Sequence, residues 1–254
     1  MGELDGKIAL VTGAGQGIGQ GIALALAKAG ASVGLVGRRR EPLEETAALI
    51  HAVGGKTAIA LADVAVRAEV DAAVAHIEKE LGPVWSLVNN AIATERQTLE
   101  NVTDENMDRT IRSGIYGSLY MMQACFAGMK ANGGGRIFNF GSGTGTMGLT
   151  HNVAYSIAKE GVRSLAKVAA SDWGKYNITA NTICPIALTP LYDSMWAKAT
   201  EAEKAAHLAE IPLRRIGDSE KDVGALVVFL SGPGGGYITS RTFHVDGGKC
   251  YYDR

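Results

Sequence analysis

Tyr155 and Lys159 stand four residues apart in the stretch YSIAK, and Ser142 lies 13 residues before the tyrosine. On a helix, residues i and i+4 share a face, so this spacing sets a phenol beside an ammonium. A tyrosine hydroxyl titrates near 10 in isolation, too high to trade protons readily near neutral pH. A neighbouring ammonium favours the phenolate and is expected to lower that value. The pair is suited to giving a proton to an oxygen or taking one from it. By itself, Tyr-x-x-x-Lys also arises on ordinary helix surfaces, and its weight comes from what precedes it.

What precedes it is VTGAGQGIGQG, Val11 to Gly21. No register of this stretch fits the G-x-G-x-x-G dinucleotide pattern. It reads instead as T-G-x-x-x-G-x-G, with Thr12, Gly13, Gly17 and Gly19 at the fixed positions. It runs from an apolar segment, KIALVTG, into a helical one. A strand entering a helix through glycines presents free backbone N–H groups at the positive end of the helix dipole, which binds phosphate. Glycine permits the positive φ angles and the close approach that this needs.

The same rhythm continues along the chain. ASVGLVG, KTAIALADV, PVWSLVNNA, GRIFNFGS, NITANTICP and TFHVDGG read as further strands, giving about seven. Helical patterns separate them, including a long stretch from Thr103 to about Lys130 and another from about Asn152 to Tyr176. Apolar strands alternating with helices imply a doubly wound parallel sheet covered on both faces, a Rossmann-type α/β fold. We expect a single domain over residues 1–254. The segment 186–217 is too long for an ordinary connection and reads as a substrate-binding lid within it.

The 254 residues suffice for a large core, and the formal net charge of −1 gives no reason to expect nucleic acid or an anionic membrane as partner. Cys125, Cys184 and Cys250 are too widely spaced for a C-x-x-C motif and are expected to be free thiols in a reducing, cytoplasmic setting. The five histidines show no H-x-x-x-H spacing, so no metal site is expected. Lys and Arg interrupt each long apolar stretch, so no membrane span is expected either.

Taken together, these motifs resemble the short-chain dehydrogenase/reductase family across nearly the whole chain. Ser142, Tyr155 and Lys159 match its catalytic serine, tyrosine and lysine, and HVDGG, His244 to Gly248, its usual ending. The resemblance implies a nicotinamide cofactor lying over Thr12, Gly13, Gln16, Gly17, Ile18 and Gly19. It implies contacts to Gly37, Arg38 and Arg39 after the second strand, and to Asp63 and Val64 near the adenine. Asn90, Ala91, Tyr155, Lys159, Pro185 and Thr189 complete the site. Lys159 would hold the nicotinamide ribose, Ser142 would orient the substrate oxygen, and Tyr155 would protonate that oxygen as hydride arrives. Where many members carry an acidic residue for the adenosine 2′-hydroxyl, this chain has Gly37 followed by arginines. Guanidinium binds a 2′-phosphate that a carboxylate would repel, so NADP(H) is favoured, with NAD(H) as the alternative.

The reading is an oxidoreductase that interconverts a small-molecule ketone and a secondary alcohol. Thr144, Met147 and Leu149, with Ser142 and Tyr155, would form one wall of the substrate site. Ile186, Leu188, Leu191, Tyr192, Met195 and Trp196 would supply the lid side, which suits an apolar or cyclic substrate. The alternatives are a 3-oxoacyl-carrier-protein reductase and a non-catalytic NADP(H)-binding protein. The resemblance also implies a homotetramer or homodimer. Three positions depart from the family pattern: Ile92 and Ile186 where glycine is usual, and Gly114 where the family has a catalytic asparagine. Isoleucine resists positive φ, so a locally different backbone is expected near the nicotinamide. Gly114 is expected to leave room for a further water beside a carbonyl freed by a helix break.

Overall fold

The apolar runs become strands buried on both sides. A computed structural model of the chain describes residues 2–250, apart from the side chain of the lid candidate Leu191, which lies outside the described residues. Strands β1 (Ile8–Thr12), β2 (Ser32–Gly37), β3 (Thr57–Leu61), β4 (Ser86–Asn89), β5 (Gly135–Phe140), β6 (Ile178–Pro185) and β7 (Thr242–Val245) form one parallel sheet. Their order is β3-β2-β1-β4-β5-β6-β7, the Rossmann-type arrangement expected. The chain winds outward from β1 in one direction and from β4 in the other. Open α/β sheets bind ligands at this switch, beyond the carboxyl ends of the strands.

The helices are α1 (Gly17–Lys28), α2 (Arg40–Ala52), α3 (Arg67–Leu81), α4 (Asp104–Ile111), α5 (Gly117–Ala131), α6 (Gly143–Met147), α7 (Val153–Trp173), α8 (Pro190–Trp196), α9 (Glu201–Ala209) and α10 (Ala225–Ser231). Alternation along β1 divides the core. Ala9 and Val11 pack with Ile22 and Leu26 of α1, Leu43 and Ile50 of α2, and Val227 and Leu230 of α10. Leu10 points the other way, toward Ile77 of α3, Met121, Met122 and Cys125 of α5, and Ala166 of α7. Among the described residues, no helix is long and apolar enough to cross a membrane.

The stretch expected as one long helix from Thr103 is broken in register. A π-helical turn, Arg112–Tyr116, joins α4 to α5. The segment 186–217 leaves and returns at one point: Ala187 bridges Gly217, with Leu188 N–H donating to Gly217 O at 2.8 Å. Between these ends lie α8 and α9.

Helix α10 and the π turn before it, Ser219–Gly224, escape the sequence reading. LVVFL is a short continuous apolar run, and periodicity cannot tell such a run from a strand. Packing decides it. A Cβ on Gly21 of α1 would lie 2.5 Å from Ser219 Cβ and 2.6 Å from Ser219 C, and one on Gly224 would lie 2.5 Å from Ala25 Cβ. The two glycines let the backbones meet. Gly21→Ala should therefore push α1 off this turn and lower stability by about 1–3 kcal/mol, read as a drop in the urea midpoint at unchanged m. An unchanged midpoint would show that this contact is not needed.

Candidate active site

At the end of β1 the chain turns through Gly13 (φ 65°) and Gly17 (φ 56°), both in the left-handed region that favours glycine. A Cβ on Gly19 would stand 2.3 Å from Gly13 O, so glycine lets α1 start directly against the strand end. No side chain caps α1, and its first turn carries no acidic residue. Its leading N–H groups are open to an anion. The Thr12 hydroxyl lies beneath the turn. It donates to Val88 O (3.2 Å) and accepts from Asn90 N–H (3.0 Å) and Ala91 N–H (3.1 Å). Thr12 and Gly19 thus support the turn without lining the groove above it.

That groove has two adjoining parts. The first, about 290 Å³, is lined by Gly13, Gln16, Gly37, Arg38, Arg39, Asp63, Val64, Asn90 and Ala91, among others. The second, about 260 Å³, is lined by Gly17, Ile18, Ser142, Tyr155, Lys159, Pro185 and Thr189. Gln16, Asn90 and Ile92 belong to both. Arg39 Nη2 donates to Gln16 Oε1 at 3.0 Å, and Arg38 Nη1 lies 3.9 Å from Asp63 Oδ2. The segment 186–217 begins over the glycine turn, where a Cβ on Gly17 would sit 3.4 Å from Thr189 Cγ2 and Pro190 Cδ.

At the far end, α7 presents Tyr155 and Lys159 on one face. Two bonds pin this helix to β5. Lys159 Nζ donates to Phe140 O at 2.6 Å, and Asn139 Nδ2 donates to Val162 O at 3.0 Å. Asn139, itself held by Asn89 Nδ2 at 2.9 Å, was not singled out in the sequence, because a strand asparagine carries no local signature. Ser142 caps α6, accepting from Thr144 N–H at 3.1 Å, and its side chain hydrogen-bonds Tyr155.

Burial dominates the electrostatics here. It holds the Tyr155 hydroxyl above its ordinary value, and the Ser142 hydrogen bond only partly offsets this. Burial also lowers Lys159 to about 8. The sequence-based expectation was that the ammonium would lower the tyrosine. The structure differs because Lys159 is buried and Tyr155 half-buried at the groove wall, and desolvation favours the neutral form of each.

Of the expected substrate residues, Ser142 and Tyr155 line the groove, and the others lie outside its lining. Met147 and Leu149 are exposed on and just after α6, which also carries Thr144. Tyr192 Oη lies 3.4 Å from His207 Nε2, and the Trp196 ring meets His207 edge-on, so these residues join α8 to α9. Ile186 borders a different cavity, beside His244. Ile92, in contrast, lines the groove.

A ligand with phosphates at its middle would span this groove, one end at Arg38 and Arg39 and the reactive end at Tyr155. Fold and site together define a dinucleotide-dependent oxidoreductase. The family model for short chain dehydrogenase matches residues 7–200, and the chain belongs to that family. A 12alpha-hydroxysteroid dehydrogenase from Clostridium sp. (strain ATCC 29733 / VPI C48-50) is 37% identical, covering 98% of each chain. The 3-oxoacyl-acyl-carrier-protein reductase FabG of Vibrio harveyi is 35% identical over 96% of this chain and 98% of its own. A crystal structure from Sinorhizobium meliloti 1021, assigned to the short-chain alcohol dehydrogenases, superposes with a TM-score of 0.91 at 34% identity, covering 97% of each chain. The protein is therefore an oxidoreductase of CH–OH and C=O groups, using NAD(H) or NADP(H).

Two departures from the family pattern prove to be neighbours. Gly114 lies in the π turn, and a Cβ there would be 3.2 Å from both Ala158 Cβ and Ile92 Cδ1. The space beside Gly114 is thus taken by Ile92, where the sequence suggested room for a water. The Gly114 carbonyl accepts from Ser118 Oγ at 2.7 Å. Ser113 Oγ accepts from Ala93 N–H at 3.0 Å and fixes the chain after β4. Neither Ile92 nor Ile186 adopts a positive φ. Gly114→Asn alone should crowd Ile92 and cost about 1–3 kcal/mol of stability. The double variant with Ile92→Gly should recover at least about 0.5 kcal/mol of that loss in a double-mutant cycle. Strict additivity would refute the pairing.

Proposed function

We propose that the protein is an NADP(H)-dependent oxidoreductase interconverting an apolar or cyclic ketone and its secondary alcohol, with Tyr155 as acid and base. The observation that carries the cofactor choice is the cationic end of the groove, where Gly37 stands in place of a carboxylate and Arg38 and Arg39 border the cavity. Gln16 holds the Arg39 guanidinium in place at that border. The cyclic substrate draws support from the hydroxysteroid dehydrogenase likeness and from the aromatic lid residues Tyr192 and Trp196.

The glycine turn and the open end of α1 would hold the pyrophosphate, and Lys159 the nicotinamide ribose. When bound, the nicotinamide supplies or accepts the hydride. Ser142 donates a hydrogen bond to the substrate oxygen and fixes its direction. Tyr155 gives its proton to that oxygen during reduction and takes it back in oxidation. Burial keeps the tyrosine protonated near neutral pH, which suits the acid role.

A second reading, reduction of a 3-oxoacyl group on a carrier protein, is supported by the Vibrio harveyi relative. An acidic carrier would need a basic docking patch. Of the candidates Arg109, Arg112 and Lys130, Arg109 is paired with Glu95 at 2.9 Å. Turnover with cyclic ketones and with a 3-oxoacyl thioester compares the two readings. Tight NADPH binding without turnover on either would point to the non-catalytic alternative.

NADPH should be preferred over NADH by at least about tenfold in kcat/KM, roughly 1.4 kcal/mol, within reach of one arginine–phosphate contact. Gly37→Asp should reverse the preference. A Cβ can be added there, because its nearest neighbours at Gly37 are Leu43 side-chain atoms at 3.4 Å and beyond, ordinary van der Waals contact. Equal use of both cofactors by the wild type would overturn the assignment.

Lys159 titrates at about 8, so raising the pH through that value removes its charge. Ketone reduction needs the ammonium and the protonated tyrosine, so kcat/KM should be level below about pH 8 and fall about tenfold per pH unit above it. Tyr155→Phe should lose about 10²–10⁴-fold in kcat at all pH values while NADPH affinity stays within about twofold. A profile level to pH 9.5, or near-normal turnover in the phenylalanine variant, would remove these groups from the chemistry.

A further inference from the structure

The fold gathers metal-ligand types that are not legible in the histidine spacing. His244 on β7, Asp246 just after it and Cys250 beyond the next turn each offer one donor atom, and the three atoms lie within 4.8 Å of one another. We propose that His244, Asp246 and Cys250 form a binding site for a thiophilic divalent cation, Zn²⁺ by the chemistry of its donors, with one position left to solvent.

The donor set is the first argument. Imidazole, thiolate and carboxylate together suit zinc, whereas magnesium and calcium take oxygen ligands. Geometry is the second. Zinc–ligand bonds of about 2.0–2.3 Å place tetrahedral ligand atoms about 3.3–3.8 Å apart. His244 Nδ1 is already 3.9 Å from Asp246 Oδ2. Rotation of the Cys250 side chain, on a turn made by Gly247 (φ 66°) and Gly248 (φ 89°), closes the rest.

The surroundings fit as well. Asp246 is buried, and Gly248 N–H (3.0 Å) and Cys250 N–H (2.8 Å) donate to its two oxygens. Such bonds orient a ligating carboxylate. The nearby cations are already paired, Arg215 with Asp222 at 2.6 Å and Lys249 with Glu210 at 2.9 Å. A cavity of about 580 Å³, bordered by Ile186 and Leu213, gives access from solvent. Cys250 Sγ also lies 3.6 Å from Met147 Sδ, which sets a soft thioether beside the site and brings it against α6, the helix that Ser142 caps. On binding, the Cys250 thiol releases its proton to solvent and coordinates as thiolate.

The probe is Co²⁺ added to the full-length, chelator-treated protein with its thiols reduced. One equivalent should bind with a Kd of about 1 μM or tighter and produce a near-ultraviolet thiolate-to-cobalt absorption, which one equivalent of Zn²⁺ displaces. Cys250→Ser should abolish the band. His244→Ala should weaken binding at least about 10–100-fold, as much as losing an outer-shell partner costs. Cys250→His, which keeps a ligand, should still bind Zn²⁺ but without the thiolate band, and circular dichroism checks that each variant is folded. Cys184→Ser should keep the band, although Cys184 pairs with His244 across the sheet. Absence of a band in the wild type, its survival in folded Cys250→Ser, or its loss in Cys184→Ser would overturn the proposal.

Discussion

One hydroxyl sets the geometry of the groove. A threonine side chain has one proton to give and two lone pairs to fill. Thr12 uses all three, donating to Val88 O and accepting from Asn90 and Ala91 N–H. It does so where the strand order reverses, between the ends of β1 and β4. The chain continues from β1 toward β2 and from β4 toward β5, in opposite directions, and polar backbone left between the two strand ends would lack partners. With the gap sealed, the glycine turn can rise on one side and the chain after β4 on the other. Asn90 Nδ2 adds a bond back to Thr12 O at 3.1 Å. Both halves of the groove start from this junction.

The Tyr155 end of the groove depends on a comparable anchorage. Helix α7 is tied to β5 through Asn139 and through Lys159 itself, so the lysine one turn from Tyr155 also holds its own helix in place. The burial that makes this possible sets the proton chemistry. It raises the tyrosine and lowers the lysine to about 8, which drives the two groups apart. Shared desolvation outweighs mutual attraction here, so the tyrosine rests protonated while the lysine gives up its proton more readily than a free ammonium.

How far the sequence reveals this depends on how local each cause is. The glycine turn, the seven strands and the Tyr155–Lys159 face follow from periodicity and short spacing, and all were legible. Asn139 and Ile92 were not assigned roles, because each acts on a partner remote in sequence. The helix Ala225–Ser231 follows a turn whose seat on α1 is made by glycine contacts between distant segments, which no local pattern shows. Burial at Tyr155 likewise exists only in the folded chain, which is why the direction of its shift could not be read from a neighbouring lysine. His244, Asp246 and Cys250 lie close in sequence, but a turn between them, and not a helical repeat, brings their donor atoms together.

The bridge between Ala187 and Gly217 gives the enzyme modularity. A segment whose two ends are already hydrogen-bonded to each other does not transmit its length to the sheet. Closing such a loop becomes costlier only slowly, by about 0.6 kcal/mol for each doubling of its length. The stretch carrying α8 and α9 can therefore be shortened, lengthened or exchanged while the strands below keep their register. A change of length between the two bridging residues is absorbed within the segment itself, and the pairing of β6 with β7 stays as it is.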